Sequence, residues 1–363
     1  MKTDGHIKPA RKGVQRSRRE LIERHLKEKP LFILPDGANR EEVRRLGQQF
    51  LNLTIATLAG ADRRPALYPE AQVSATPTVA VPMPITAPYH PPTVGRSADE
   101  MIRVIRERIL GRALNVSHPG YVGHMDTLPS AIGAFSDILV SALNNNMLCW
   151  EMAPVFTEME ARLLQWVTRA IGWPREGDRA PATGFLVSGG SLANLSAILA
   201  ARNVMSGDAF REEGLSAAPG PPVIFASQEV HYSLDKIANI LGLGARGLVR
   251  VPTDDQLRLC PDALADAIVE ARRSGRWPFC VVGIAGTTLS GAIDPLRRIG
   301  EIARREGLWY HIDAAYGGSL LACTGQDGQS ARMLLDGIDE ADSVTFNPQK
   351  WLFVPKVCAG VFF

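Results

Sequence analysis

The sequence predicts an α/β fold with a mostly parallel sheet and helices on its faces. Three observations predict it. From about residue 130 onward, short apolar runs alternate with amphipathic stretches of helical period. Glycines and small polar residues follow several of those runs, where such sheets hold their ligands. The chain of 363 residues, 45% hydrophobic and 21% charged, has enough apolar material for a sizeable core. That composition excludes a disordered chain, a collagen-like chain and a small disulfide scaffold.

Residues 1–15 read as disordered, and 16–29, charged with spaced Leu and Ile, as a surface helix. Asp36 is placed to cap a helix through 39–60, where Val43, Leu46, Phe50, Leu51 and Leu53 form an apolar stripe. Pro65, Pro69, Pro77, Pro82, Pro84, Pro88, Pro91 and Pro92 make the next stretch extended. Ser97 starts another helix, with Met101, Val104, Ile105, Ile109 and Leu110 on one face. Residues 1–115 therefore read as a helical arm with a Pro-rich linker, and 116–363 as the large domain. Helical patterns cover 130–146 and 154–171. Strands are expected at 185–187, 223–225, 248–251, 279–284, 308–313 and 343–346. Helices are expected from near Ser191, over 233–242, and after Pro261 and Pro295. Residues 206–222 read as a surface loop. No internal repeat is visible.

Lys+Arg 40 against Asp+Glu 38 gives a net charge of +2, so no global electrostatic footprint for nucleic acid or anionic lipid exists. No run of 18 apolar residues predicts a membrane span. The basic N-terminal stretch has no apolar segment after it and carries Glu20, Glu23 and Glu28, unlike a signal or transit peptide. The five cysteines form no CxxC and read as buried, reduced thiols of a cytoplasmic protein. No metal-ligand cluster is visible.

Four places after strands carry candidate chemistry. Ser188-Gly189-Gly190-Ser191 lies between a strand and a helix. Its glycines admit a ligand to the backbone, and the helix start suits a phosphate; the alternative is a tight turn with Ser191 as N-cap. It is not a Walker loop, since GK[ST] is missing. Asp313 closes an apolar strand, where a carboxylate needs a partner such as a protonated ring nitrogen; the alternative is a cap on the next turn. Lys350 sits between Phe346 and the run Trp351-Leu352-Phe353-Val354. Such surroundings disfavour the ammonium form and make a nucleophilic amine; the alternative is an ordinary solvent-facing lysine. His231 is suited to stack on a flat ring or move a proton, or is an ordinary histidine at a helix start. Together the four make the protein side of a pyridoxal-phosphate site.

The segments HPGYVGHMDTLPS (118–130), VSGGSLANLSAILAAR (187–202), HYSLDKIA (231–238), GTTLSGAIDPL (286–296), HIDAAYGG (311–318) and FNPQKW (346–351) carry a family resemblance. The chain resembles the group II pyridoxal-phosphate-dependent amino-acid decarboxylases, which act on glutamate, aspartate, diaminobutyrate, cysteine sulfinate and aromatic amino acids. The resemblance implies fold type I, the aspartate aminotransferase-like large domain. It implies decarboxylation of an L-amino acid to an amine and carbon dioxide, with pyridoxal 5'-phosphate on Lys350 as a Schiff base. Asp313 would pair with the ring nitrogen, and His231 would stack on the ring. Gly190, Ser191 and Asn347 match phosphate-binding positions. Thr288 matches a cofactor contact, and Ala315 one that packs on the ring. Thr127, and beside it His124, fall on the substrate side. The resemblance also implies a homodimer. The alternatives are another fold type I reaction, transamination or carbon–carbon cleavage, or an inactive homologue.

Three departures from the family pattern stand out. Gln349 replaces a usual histidine, which removes a charge and predicts modestly weaker cofactor binding. His124-Met125-Asp126 replaces aromatic residues, which disfavours an aromatic substrate. Asp126 would suit a cationic side chain or simply face solvent. The chain also stops at Phe363, in an apolar run that is expected to leave a sheet element uncovered. The family's mobile loop and small C-terminal domain are accordingly expected to be missing from a truncated chain.

Overall fold

The structure, a computed structural model, describes residues 33–66, 95–111, 113–174 and 182–363. The expected helix at 16–29 and nearly all of the Pro-rich stretch lie outside them. The chain divides into two compact units between Val122 and Gly123.

In the first unit, α1 spans Arg40–Ala59 and α2 spans Ala98–Val104, with a π-turn continuation over Ile105–Leu110. Ser97 caps α2 in a capping box, its hydroxyl accepting from Glu100 N–H. Asp36 does not cap α1. Asn39 holds the N-cap position, and Asp36 instead accepts from Ala38 N–H in the preceding turn. The expected stripe on α2 is misplaced too: Ile102 is the buried residue, while Met101 and Ile109 are exposed.

The second unit holds the sheet. Its elements are α3 (Ala131–Leu143), α4 (Pro154–Ile171), β1 (Gly184–Val187), α5 (Gly190–Ser206), α6 (Asp208–Glu213), β2 (Pro222–Ser227), α7 (Ser233–Ile240) and β3 (Leu248–Val251). They continue with α8 (Pro261–Arg273), β4 (Trp277–Ile284), α9 (Leu296–Glu306), β5 (Trp309–Ala314), α10 (Gly325–Met333), β6 (Ser343–Phe346) and β7 (Ala359–Phe362). The strand order is β1-β7-β6-β5-β4-β2-β3. Only β7 runs against its neighbours.

Two apolar layers cover the sheet. On one face Phe225, Val281, Ile312 and Val344 pack with Leu264 and Ile268 of α8 and Ile299 of α9. On the other, Ile224, Val282 and Ile284 pack with Ile198 of α5 and Leu234 and Ile237 of α7. Strand alternation sends successive residues to opposite layers. Most side chains of β2, β4 and β5 are buried, as expected for strands covered on both faces.

Three expectations are corrected. The last strand is not an uncovered element: β7 lies between β1 and β6, and all four of its residues are buried. Residues 208–217 are not irregular but form α6 and a short 3-10 turn. Of the five cysteines only Cys280 is buried, and Cys149 is exposed.

Candidate active site

The parallel strands end on one edge of the sheet, and the residues that follow them converge there. Ser188 follows β1, His231 follows β2, Thr287 and Thr288 follow β4, Ala315 and Tyr316 follow β5, and Asn347 follows β6. They enclose a cavity of about 270 Å³. All the cofactor positions read from the sequence line it: Gly190, Ser191, His231, Thr288, Asp313, Ala315, Asn347 and Lys350.

The floor is set by α5. Gly189 adopts φ +113, a conformation that favours glycine, and serves as N-cap. Ser191 is therefore inside the helix rather than its cap. A Cβ on Gly190 would lie 2.8 Å from Asn347 Nδ2, so only glycine lets the helix start come this close to Asn347. The first N–H groups of a 17-residue helix lie beside the Ser188 and Ser191 hydroxyls and the Asn347 amide. That donor set fits a phosphate group. Gln349 also lines the cavity. Its Oε1 accepts from Cys358 N–H at 2.6 Å, which leaves its amide nitrogen as a donor.

Asp313 is buried at the end of β5. Its Oδ2 accepts from Asn194 Nδ2 at 2.7 Å and its Oδ1 from Ala315 N–H at 3.0 Å. The second contact is the turn cap weighed as an alternative; the carboxylate makes that contact and still lines the cavity. Lys350 Nζ lies 3.2 Å from Met125 Sδ and 5.9 Å from the Tyr316 ring centroid. Burial pulls its pKa below the ordinary lysine value, against the opposing pull of Asp313 and Asp126. His231 Nδ1 accepts from Ser233 N–H at 3.2 Å and lies 2.9 Å from Ser233 Oγ, so the neutral ring carries its proton on Nε2. Burial lowers its pKa, helped by Lys350 and Lys236 and opposed by Asp313.

Two residues of the substrate-side segment stand apart from the cavity lining. Thr127 donates its hydroxyl to the carbonyl oxygen of Lys350. His124 is exposed, with φ +54. Asp126 is paired with Lys356, so it has its own cation and does not await a cationic substrate. Asn194 and Tyr316 were missed as site residues. Asn194 carried a signal, being the single amide in the buried face Ala193, Ala197, Ile198 and Ala201 of α5.

A mostly parallel sheet with a lysine, a buried carboxylate and a glycine-opened helix start at its carboxyl edge has the parts that a pyridoxal-phosphate site needs. Residues 85–363 match the model of the pyridoxal-dependent decarboxylase conserved domain, and the chain belongs to that family. It is 37% identical to aspartate 1-decarboxylase of Aliivibrio fischeri over 71% of this chain and 49% of that one. It is 35% identical to human cysteine sulfinic acid decarboxylase over 73% of this chain and 52% of that one. The crystal structure of mouse CSAD superposes with a TM-score of 0.77 at 29% identity, covering 89% of this chain and 63% of that one. The chain thus spans about half the length of the curated relatives it matches. The family's cofactor is pyridoxal 5'-phosphate, and the donors, carboxylate and lysine of the cavity fit it. Among the described residues no group of His, Cys, Asp and Glu is placed to hold a metal ion, and no helix is long and apolar enough to cross a membrane.

Proposed function

We propose that this chain is an amino-acid decarboxylase, or the cofactor-binding part of one, that converts an acidic or short L-amino acid to its amine and carbon dioxide. The observation that carries the reading is the convergence of Lys350, Asp313, His231 and the Gly190 helix start on one cavity. The names of the relatives, aspartate and cysteine sulfinic acid decarboxylases, support the substrate class.

In this reading pyridoxal phosphate, when bound, supplies an electron sink for the pair left at Cα as carbon dioxide departs. The chain's own residues do the rest. Lys350 holds the cofactor through an amine whose uncharged form burial favours. Thr127 anchors the backbone carbonyl of that lysine. Asp313 opposes the ring nitrogen with a carboxylate fixed by Asn194 and Ala315. His231 and Ala315 pack on the ring, and the depressed pKa of His231 keeps that face uncharged. Gly190, Ser191 and Asn347 hold the phosphate end, Thr288 contacts the cofactor, and His124 lies on the approach of substrate.

We further place the active form as a homodimer in the cytoplasm. The free thiols, one of them exposed, support a reducing compartment. The apolar outer face of α3, with Ile132, Ile138 and Leu139 at 76%, 64% and 61% exposure, supports a partner copy.

Borohydride reduction of the chain incubated with pyridoxal phosphate, followed by peptide mapping, tests the site. The label is expected on Lys350 and is expected to vanish in Lys350→Ala. A label retained by that variant overturns the assignment. Incubation with aspartate, glutamate and cysteine sulfinate then tests the reaction. Carbon dioxide with a primary amine supports it; a keto acid instead points to transamination. A labelled Lys350 without turnover of any of them points to an inactive homologue.

A further inference from the structure

Behind Asp313 lies a chain of buried polar side chains that runs away from the cavity. Trp309, His311 and Asp313 alternate along β5, which sends all three to one face. Ser343 of β6 is the register partner of His311, and Asn194 of α5 lies over the same face. The links run Trp309 Nε1 to Ser343 Oγ at 2.9 Å, Ser343 Oγ to His311 Nδ1 at 2.9 Å, His311 Nε2 to Asn194 Oδ1 at 3.1 Å, and Asn194 Nδ2 to Asp313 Oδ2 at 2.7 Å. Asn194, His311 and Ser343 are all at most 2% exposed.

We propose that Asn194 and His311 are positioning residues that lock the orientation of the Asp313 carboxylate through this one-directional chain of hydrogen bonds. The direction follows from its ends. The Trp309 indole N–H only donates, and a carboxylate only accepts. Asn194 must turn its NH₂ to Asp313, so its oxygen faces His311, and His311 Nε2 must carry a proton. The imidazole is fully buried, and that burial pushes its pKa down to about 4, so the ring is neutral and Nδ1 has a lone pair. The Ser343 hydroxyl, already accepting from Trp309, donates its proton there. Every donor then meets one acceptor. Flipping the Asn194 amide would set its oxygen against the carboxylate and its NH₂ against the Nε2 proton, two buried mismatches at once. His311 thereby fixes the amide, and the amide fixes the acid. With Ala315 N–H on the other oxygen, the carboxylate plane has no freedom left.

The inference rests on Asp313 facing the cofactor ring, and the test separates the two. Nitrogen-15 NMR of the imidazole in the cofactor-free chain is expected to show a neutral His311 protonated at Nε2. A proton on Nδ1, donated to the Ser343 carbonyl oxygen 3.2 Å away, or an imidazolium, overturns the relay. Pyridoxal-phosphate titrations of variants supply the second readout. Glutamine places an N–H where Nε2 stands, whereas asparagine and leucine do not. His311→Gln is expected to keep affinity within about threefold, and His311→Asn and His311→Leu to lose roughly ten- to a hundredfold through the unsupported buried amide. Equal losses in all three folded variants overturn the relay. Unchanged affinity in Asp313→Asn overturns the reading of Asp313 itself, while the His311 tautomer result stands alone.

Discussion

The helix start at Gly190 leaves no room for a side chain beside Asn347, and that sets a first prediction. Asn347 is 3% exposed and has no room to retreat. In Gly190→Ala the new methyl, 2.8 Å from Asn347 Nδ2, pushes the helix start away from the phosphate donors. Cofactor affinity is expected to fall by roughly tenfold or more, the equivalent of about 1–3 kcal/mol of overpacking. Titration with pyridoxal phosphate checks it, and unchanged affinity would show that the loop absorbs the methyl. His311 carries a second prediction, in pH. Its folded pKa of about 4 lies below the ordinary 6.5, so the unfolded chain binds the proton more readily. Stability from this residue is whole above about pH 6.5 and drains away as pH falls toward the folded value, by at most roughly 3 kcal/mol. The urea stability of the wild type relative to His311→Gln is therefore expected to decline between about pH 7 and about pH 4.5. A difference that stays constant refutes the buried neutral imidazole.

At the scale of elements, the loop after β4 depends on one carboxylate. Asp294 accepts from Leu259 N–H at 2.7 Å and Ile284 N–H at 2.9 Å, tying the end of β4 to the segment that leads into α8. Burial pushes its pKa up to about 6 despite those two donors. Asp294→Ala leaves both amides without a partner in the core and is expected to cost about 2–5 kcal/mol in urea unfolding. A loss under about 1 kcal/mol would show that other groups satisfy them. The strands themselves were legible because β2 and β4 read as apolar runs bounded by turn residues, and β5 as an apolar run interrupted only by His311 and Asp313. The place of β7 was not. Its own four residues say only that it is apolar; its insertion between β1 and β6 depends on partners more than a hundred residues and about fifteen residues away. The helix α6 was hidden by its brevity and by the glycines at both ends, Gly207 and Gly214.

At the scale of the molecule, the exposed apolar residues of α3, α4 and the turn between them, Trp150–Met152, stand out. Ile138, Leu139, Trp150 and Trp166 are each more than half exposed. Single exposed apolar residues are ordinary, whereas a cluster of them is what the proposed homodimer would bury. Sedimentation velocity at micromolar concentration is expected to show a dimer, and Ile138→Asp with Leu139→Asp to shift it to monomer while the cofactor still labels Lys350. A monomeric wild type overturns the dimer.

The sequence by itself determined the α/β class and the order of most strands and helices, and it marked the residues that line the candidate cofactor cavity. Those features reside in local signals: apolar period, glycines at a strand-to-helix turn, and charged residues set in apolar runs. The eight candidate cofactor positions lie on five separate stretches of chain; Gly190, Ser191, His231, Asp313 and Lys350 were marked by their own neighbours, and Thr288, Ala315 and Asn347 by the family resemblance. The tertiary structure alone decided the rest. It paired Asp126 with Lys356, bound Thr127 to the carbonyl of Lys350, and placed Asn194 between Asp313 and His311. A hydrogen bond between residues more than a hundred positions apart leaves no periodic trace in the chain. It exists only once sheet register and helix packing have brought donor and acceptor together in a space from which water is excluded.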